Sequence, residues 1–136
     1  MPTHFPRFTL NRHLILLVPK QPVLDWLATI DDELGKTLTL DSLRDDDDGF
    51  LIPEGAADGT DEAINWVEKR WRMFLEHYLD SWVSDESQWP QKLSLKLFRE
   101  WFDIEYHSML WDLAESPLEV EDWDDDEDDG GSKMVH

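Results

Sequence analysis

The sequence predicts an α+β domain, in which a small sheet of about three strands packs against three to four helices, followed by a disordered acidic tail. Three observations predict it: the apolar run Leu14 to Val18 ended by Pro19, later stretches with apolar residues at helical spacing, and a carboxylate block near the C-terminus. The expected organisation is an N-terminal arm over 1–10, a single domain over 11–120 and a tail over 121–136.

Arg12 to Pro19 reads as a central strand, because a short continuous apolar run suits a position covered on both faces. Gln21-Pro22 opens a helix with proline in its first turn, and Val23, Trp26, Leu27 and Ile30 form its buried stripe. Asp31-Asp32-Glu33 and Gly35 are expected to end it, and Thr39 to cap short turns through Leu40 and Leu43. Phe50 to Pro53 is a second, minimal strand. Thr60 is the next expected cap, with Asp61 and Glu62 favoured by the helix dipole. Ile64, Val67, Trp71, Phe74, Leu75, Tyr78 and Trp82 then suggest one long helix over about 61–83, with Trp66 and Met73 off its stripe.

Ser84 to Lys92 is a loop in which Pro90 biases Trp89 away from helical geometry. Ser94 caps a short helix carrying Leu97, Phe98, Trp101 and Phe102. Asp103 to Leu113 reads as a third strand through Ile104, Tyr106 and Trp111, although the alternation falters at Ser108 and a helical continuation is the competing reading. After Pro117 the chain to Gly130 is dominated by acidic residues, with only Leu118, Val120 and Trp123 as apolar anchors. That composition cannot offset its ordering entropy.

Composition bounds function. Eight Trp, six Phe and two Tyr supply a core without staples, each burying on the order of 150–250 Å² when packed. The absence of cysteine removes disulfides, thiolate metal sites and thiol nucleophiles, and agrees with a reducing cytoplasm. Met1 to Arg12 lacks the apolar stretch of a signal peptide, and no run approaches the roughly 20 apolar residues of a membrane span. The net charge is −20, from 32 acids against 12 bases. Residues 119–136 hold nine acids and one base, so the remainder still carries 23 acids against 11 bases. A field of that sign repels nucleic acid and anionic lipid, which argues against direct binding to either.

No motif with a defined chemistry is present: no H-E-x-x-H, no phosphate-binding glycine loop and no G-x-S-x-G. The sequence therefore assigns no catalytic, cofactor or metal residue. Asp45 to Asp48 before Gly49 fails as a calcium loop, because the register puts Arg44 and Gly55 where carboxylates are needed, and reads as a solvated turn. The block Asp124, Asp125, Asp126, Glu127, Asp128 and Asp129 is either a solubilising end or an electrostatic arm, with Trp123 as its apolar anchor. Trp26, Trp71, Trp82 and Trp101 belong to apolar stripes and are expected in the core. Trp89 is a lid over the core or a surface anchor, with the lid favoured. Glu105 and His107 share a strand face and form the one acid–base pair worth testing, but no third group completes a catalytic set.

Leu10-Asn11-Arg12, Pro19-Lys20-Gln21-Pro22 with Asp25-Trp26-Leu27, Asp85-Glu86-Ser87 with Trp89-Pro90, and Glu100 to Glu105 with His107-Ser108-Met109 resemble a family of small acidic bacterial proteins without assigned activity. The resemblance covers about residues 10–118 and implies a one-domain cytoplasmic protein. The functional expectation is a non-enzymatic module that binds a basic protein surface, with DNA mimicry as its stronger form. The alternatives are a small enzyme or ligand-binding protein with a pocket near Glu105 and His107, and a domain acting through self-association.

Overall fold

The computed structural model describes residues 6–45 and 48–123. Its architecture is α+β, as the patterning predicts, but with six helices and two small sheets. A first short strand, β1 (Phe8–Thr9), precedes the central strand β2 (Arg12–Pro19). Helix α1 (Gln21–Ile30) follows with proline in its first turn and buries Val23, Trp26 and Leu27, the stripe read from the sequence. Asp31 does not simply end it. The same residue closes α1 and caps α2 (Asp32–Thr37), its carboxylate accepting from the Glu33 N–H at 2.9 Å. Thr39 caps α3 (Leu40–Asp45) as expected, Oγ1 accepting from the Ser42 N–H at 3.1 Å.

After β3 (Gly49–Pro53), the long helix expected over 61–83 is two helices, α4 (Thr60–Glu68) and α5 (Trp71–Trp82). The break is at Arg70, whose backbone leaves helical geometry at φ −119° and ψ 25°. Its side chain folds back along α4, with the guanidinium 3.7 Å from the Trp66 ring centroid and Nη1 donating to the Trp66 carbonyl at 3.0 Å. The break re-phases the stripe, so that Ala63 and Val67 of α4 and Phe74, Leu75 and Leu79 of α5 are buried, while Trp82 is 37% exposed. Thr60 is also not the cap expected: Gly59 holds that position, and Glu62 Oε1 accepts instead from the Asp58 N–H at 2.7 Å.

Ser94 caps α6 (Leu95–Trp101), its hydroxyl accepting from the Leu97 N–H at 3.1 Å, and β4 (Phe102–His107) follows directly. The third strand expected over 103–113 stops at His107; a separate strand, β5 (Trp111–Asp112), resumes after Ser108. β2 is the centre of the three-stranded sheet, antiparallel to β3 on one side and β4 on the other. β1 pairs with β5, and the Leu10 N–H donates to the Leu110 carbonyl at 3.0 Å. This two-stranded ladder is a sheet of its own, set off from the first by residues 10–13 on one side and 108–110 on the other. The segment read as an N-terminal arm thus contributes a strand.

One core lies between the sheet and the helices. Ile15 and Leu17 from β2, Ile52 from β3 and Phe102 from β4 meet Val23, Leu27, Phe74, Leu75, Leu79 and Phe98 from the helices. Aromatic edges fix its packing: Phe50 meets Phe74 at 5.0 Å and 87°, and Tyr78 meets Phe102 at 4.9 Å and 76°.

Candidate interaction surface

Side chains alternate along a strand, so the buried set on β2 leaves Leu14, Leu16 and Val18 on the opposite sheet face. None of the three is buried, and none packs against the core. The expectation that β2 is covered on both faces is therefore corrected: on its second face Leu14, Leu16 and Val18 are only partly buried and, among the described residues, do not pack against the core. A continuous apolar run is the pattern of a strand covered twice, and here one of the covers is not part of the chain's own core.

The register builds the face row by row. Leu14 stands between Leu51 of β3 and His107 of β4, Leu16 between Gly49 and Glu105, and Val18 beside Asp103. Gly49 keeps this face low: a Cβ there would sit 3.1 Å from Leu14 Cδ1 and 3.4 Å from Leu16 Cδ2. Leu51 is 50% exposed, extending the apolar strip to the edge strand. Along the other edge, Lys20 Nζ lies 3.5 Å from Asp103 Oδ1, and His107 Nε2 lies 3.7 Å from Glu105 Oε1. The separate β1–β5 ribbon and the residues leading into it carry more exposed apolar groups, Phe8, Met109 and Trp111 among them.

The residues singled out in the sequence do not converge. Glu105 and His107 do share a face, but both side chains are about half exposed and neither lines the described cavities. Trp89 is partly buried against the core and donates its indole N–H to the Val83 carbonyl at 2.8 Å, the geometry of a lid. Its loop is held from below, because Trp26 Nε1 donates to the Gln88 carbonyl at 3.0 Å. Trp123 is 80% exposed, and Asp124 to Asp129 lie outside the described residues. Trp26 and Trp101 are core residues as expected, Trp71 is half-buried, and Trp82 stands at the surface.

Two pairs escaped the sequence reading. Tyr106 Oη lies 2.7 Å from His13 Nδ1, joining β4 to β2 across 93 residues. Burial, reinforced by Asp58 and Glu62, pushes the Tyr106 hydroxyl above the usual phenol range. Asp48 Oδ2 lies 3.2 Å from His77 Nε2, beside a cavity between α3 and α5. Neither pair has a local sequence signature, since each joins residues distant along the chain. Among the described residues no group of three or more His, Asp or Glu is arranged to hold a metal ion, and no helix is long and apolar enough to cross a membrane.

The chain matches no family model, no curated protein and no solved structure.

Proposed function

We propose that this chain is a non-enzymatic, cytoplasmic interaction module that binds a basic protein surface through the open face of its sheet. One observation supports the reading: among the described residues, the strip of Leu14, Leu16, Val18 and Leu51 has no packing against the core. A chain of net charge −20 supplies the second requirement, partner selection. Long-range attraction speeds encounter with a basic surface and rejects acidic ones, while the apolar strip supplies the short-range affinity that charge alone does not. The strip's rim carries two carboxylates, Asp103 and Glu105, against the ammonium of Lys20, and the rest of the acid lies elsewhere on the chain. Trp123 and the Asp124 to Asp129 block add an anchor and an electrostatic arm beyond the sheet, and Trp89 serves as lid rather than anchor.

The test is capture of bacterial proteins on immobilised full-length chain, elution in a salt gradient, and re-binding of each purified captured protein to wild type and Leu16→Lys. The reading expects basic proteins released by moderate salt, because exposed charge contacts are screened over about 8–10 Å, and weakened re-binding to Leu16→Lys. Captured proteins without a basic bias, or equal re-binding to both forms, contradict it. Where a captured protein also binds duplex DNA, competition by that DNA identifies the mimic form of the reading.

A further inference from the structure

We propose that the cavity between α3 and α5 is a binding site for an organic cation, a guanidinium or primary ammonium group on a short alkyl stem. The site shares no residue with the sheet strip, and the proposal does not rest on that reading. The cavity encloses about 200 Å³. That is below the roughly 300–1,000 Å³ typical of drug-sized ligands and suits an occupant the size of one side chain.

Its lining selects charge. Leu38 and Leu43 give apolar surface for an alkyl stem, and Trp82 gives an aromatic ring on which a cation can stack. The polar groups are acceptors. Ser81 Oγ spends its proton on the Tyr78 carbonyl at 2.6 Å and keeps lone pairs for a donor. Ser42 Oγ is taken up by Thr39, donating to its carbonyl at 2.9 Å and accepting from its N–H at 2.9 Å and its hydroxyl at 3.2 Å, so the free acceptors are those of Ser81 and Asp48. Asp48 is held by His77 through Oδ2 alone, at 3.2 Å, and among the described residues nothing bonds its Oδ1. Among the described residues no lysine or arginine lines the cavity, so an anion would meet only acceptors there. Trp82, 37% exposed, leaves its indole accessible at this cavity.

The chemistry has two sources, a free small cation and an arginine side chain presented by a protein. Both are tested by following the eight indole signals of the 15N-labelled full chain at about pH 7.5, above the ordinary histidine range. One titration uses agmatine and the other a capped Gly-Arg-Gly peptide. The Trp82 signal, assigned with Trp82→Phe, is expected to shift saturably with at least one probe, and Asp48→Asn to weaken that binding about tenfold while leaving the remaining spectrum unchanged. A response to agmatine assigns the site to free cations, and a response to the peptide alone assigns it to a protein-borne arginine; either supports the proposal. An unmoved Trp82 signal with both probes in the folded wild type overturns it, as does equal affinity of wild type and Asp48→Asn.

Discussion

Leu16 of the central strand stands directly across from Glu105 of the edge strand, on the sheet face that does not pack against the core among the described residues. The pair sums up the surface: an apolar side chain in the middle, a carboxylate at its rim. Leu16→Lys places opposite charges across the ladder and removes no core contact. The variant is expected to keep the wild-type fold and to change stability by less than about 1 kcal/mol, the span of strand propensity effects. A urea midpoint measured on both forms checks this. A loss of several kcal/mol would mean that Leu16 belongs to the core after all.

Gly35 of α2 packs on Ala28 of α1 so closely that a Cβ would sit 2.6 Å from the Ala28 Cβ. The two helices share Asp31, whose N–H donates to the Leu27 carbonyl of α1 at 3.1 Å while its carboxylate caps α2 through the Glu33 N–H. Gly35→Ala gains helix propensity of about 1 kcal/mol but must force this contact apart, at about 1–3 kcal/mol. The clash is expected to win, lowering the thermal midpoint. A raised midpoint would show that α2 moves freely.

Phe74 is fully buried and meets Phe50 edge-on. Phe74→Ala is expected to cost about 3–5 kcal/mol, and the cap substitution Ser94→Ala about 1 kcal/mol. Denaturant unfolding of the two variants checks the order. Reversal would place the stability centre in α6 rather than at the junction of β3 with α5.

Asp85 accepts from the Ser87 hydroxyl at 2.7 Å and the Ser87 N–H at 3.0 Å, and these bonds hold its carboxyl below the usual aspartate value. A depressed folded pKa gives stability that is present above the ordinary value, about 3.9, and is lost as pH falls through the depressed one. Wild type is therefore expected to exceed Asp85→Asn in stability at neutral pH, and the gap to close in acid. A gap independent of pH would contradict the role of the charge.

Tyr106 has the opposite sign. Its raised pKa, caused first by burial and then by Asp58 and Glu62, gives stability that is present below about pH 10 and lost as pH rises through the raised value. Tyr106→Phe is expected to lose about 1 kcal/mol at neutral pH, with the bond to His13, and to approach wild type in strong alkali. Alkaline unfolding curves of the two proteins decide it; parallel curves would contradict it.

Much of this fold was legible because its signals are local. Pro22, Ser94 and Thr39 mark helix starts by their own chemistry, and Val23, Trp26 and Leu27 announce a buried stripe by spacing alone. The failures share a cause. The break at Arg70 depends on a side chain folding back onto Trp66, and β1 and β5 are two residues each, too short to carry a period. The surface was misread for a different reason. A strand buried on both faces and a strand with one face left open for a partner have the same apolar run, so only the packing around Leu14, Leu16 and Val18 separates them.

The most direct test of the sheet-face account is methyl-resolved NMR of the labelled full-length chain titrated with a purified basic protein recovered by capture. The account predicts that the methyl signals of Leu14, Leu16, Val18 and Leu51 shift or broaden together on binding, while Leu27, Leu75 and Leu79 in the core do not. Binding that leaves the four strip residues unmoved would contradict it.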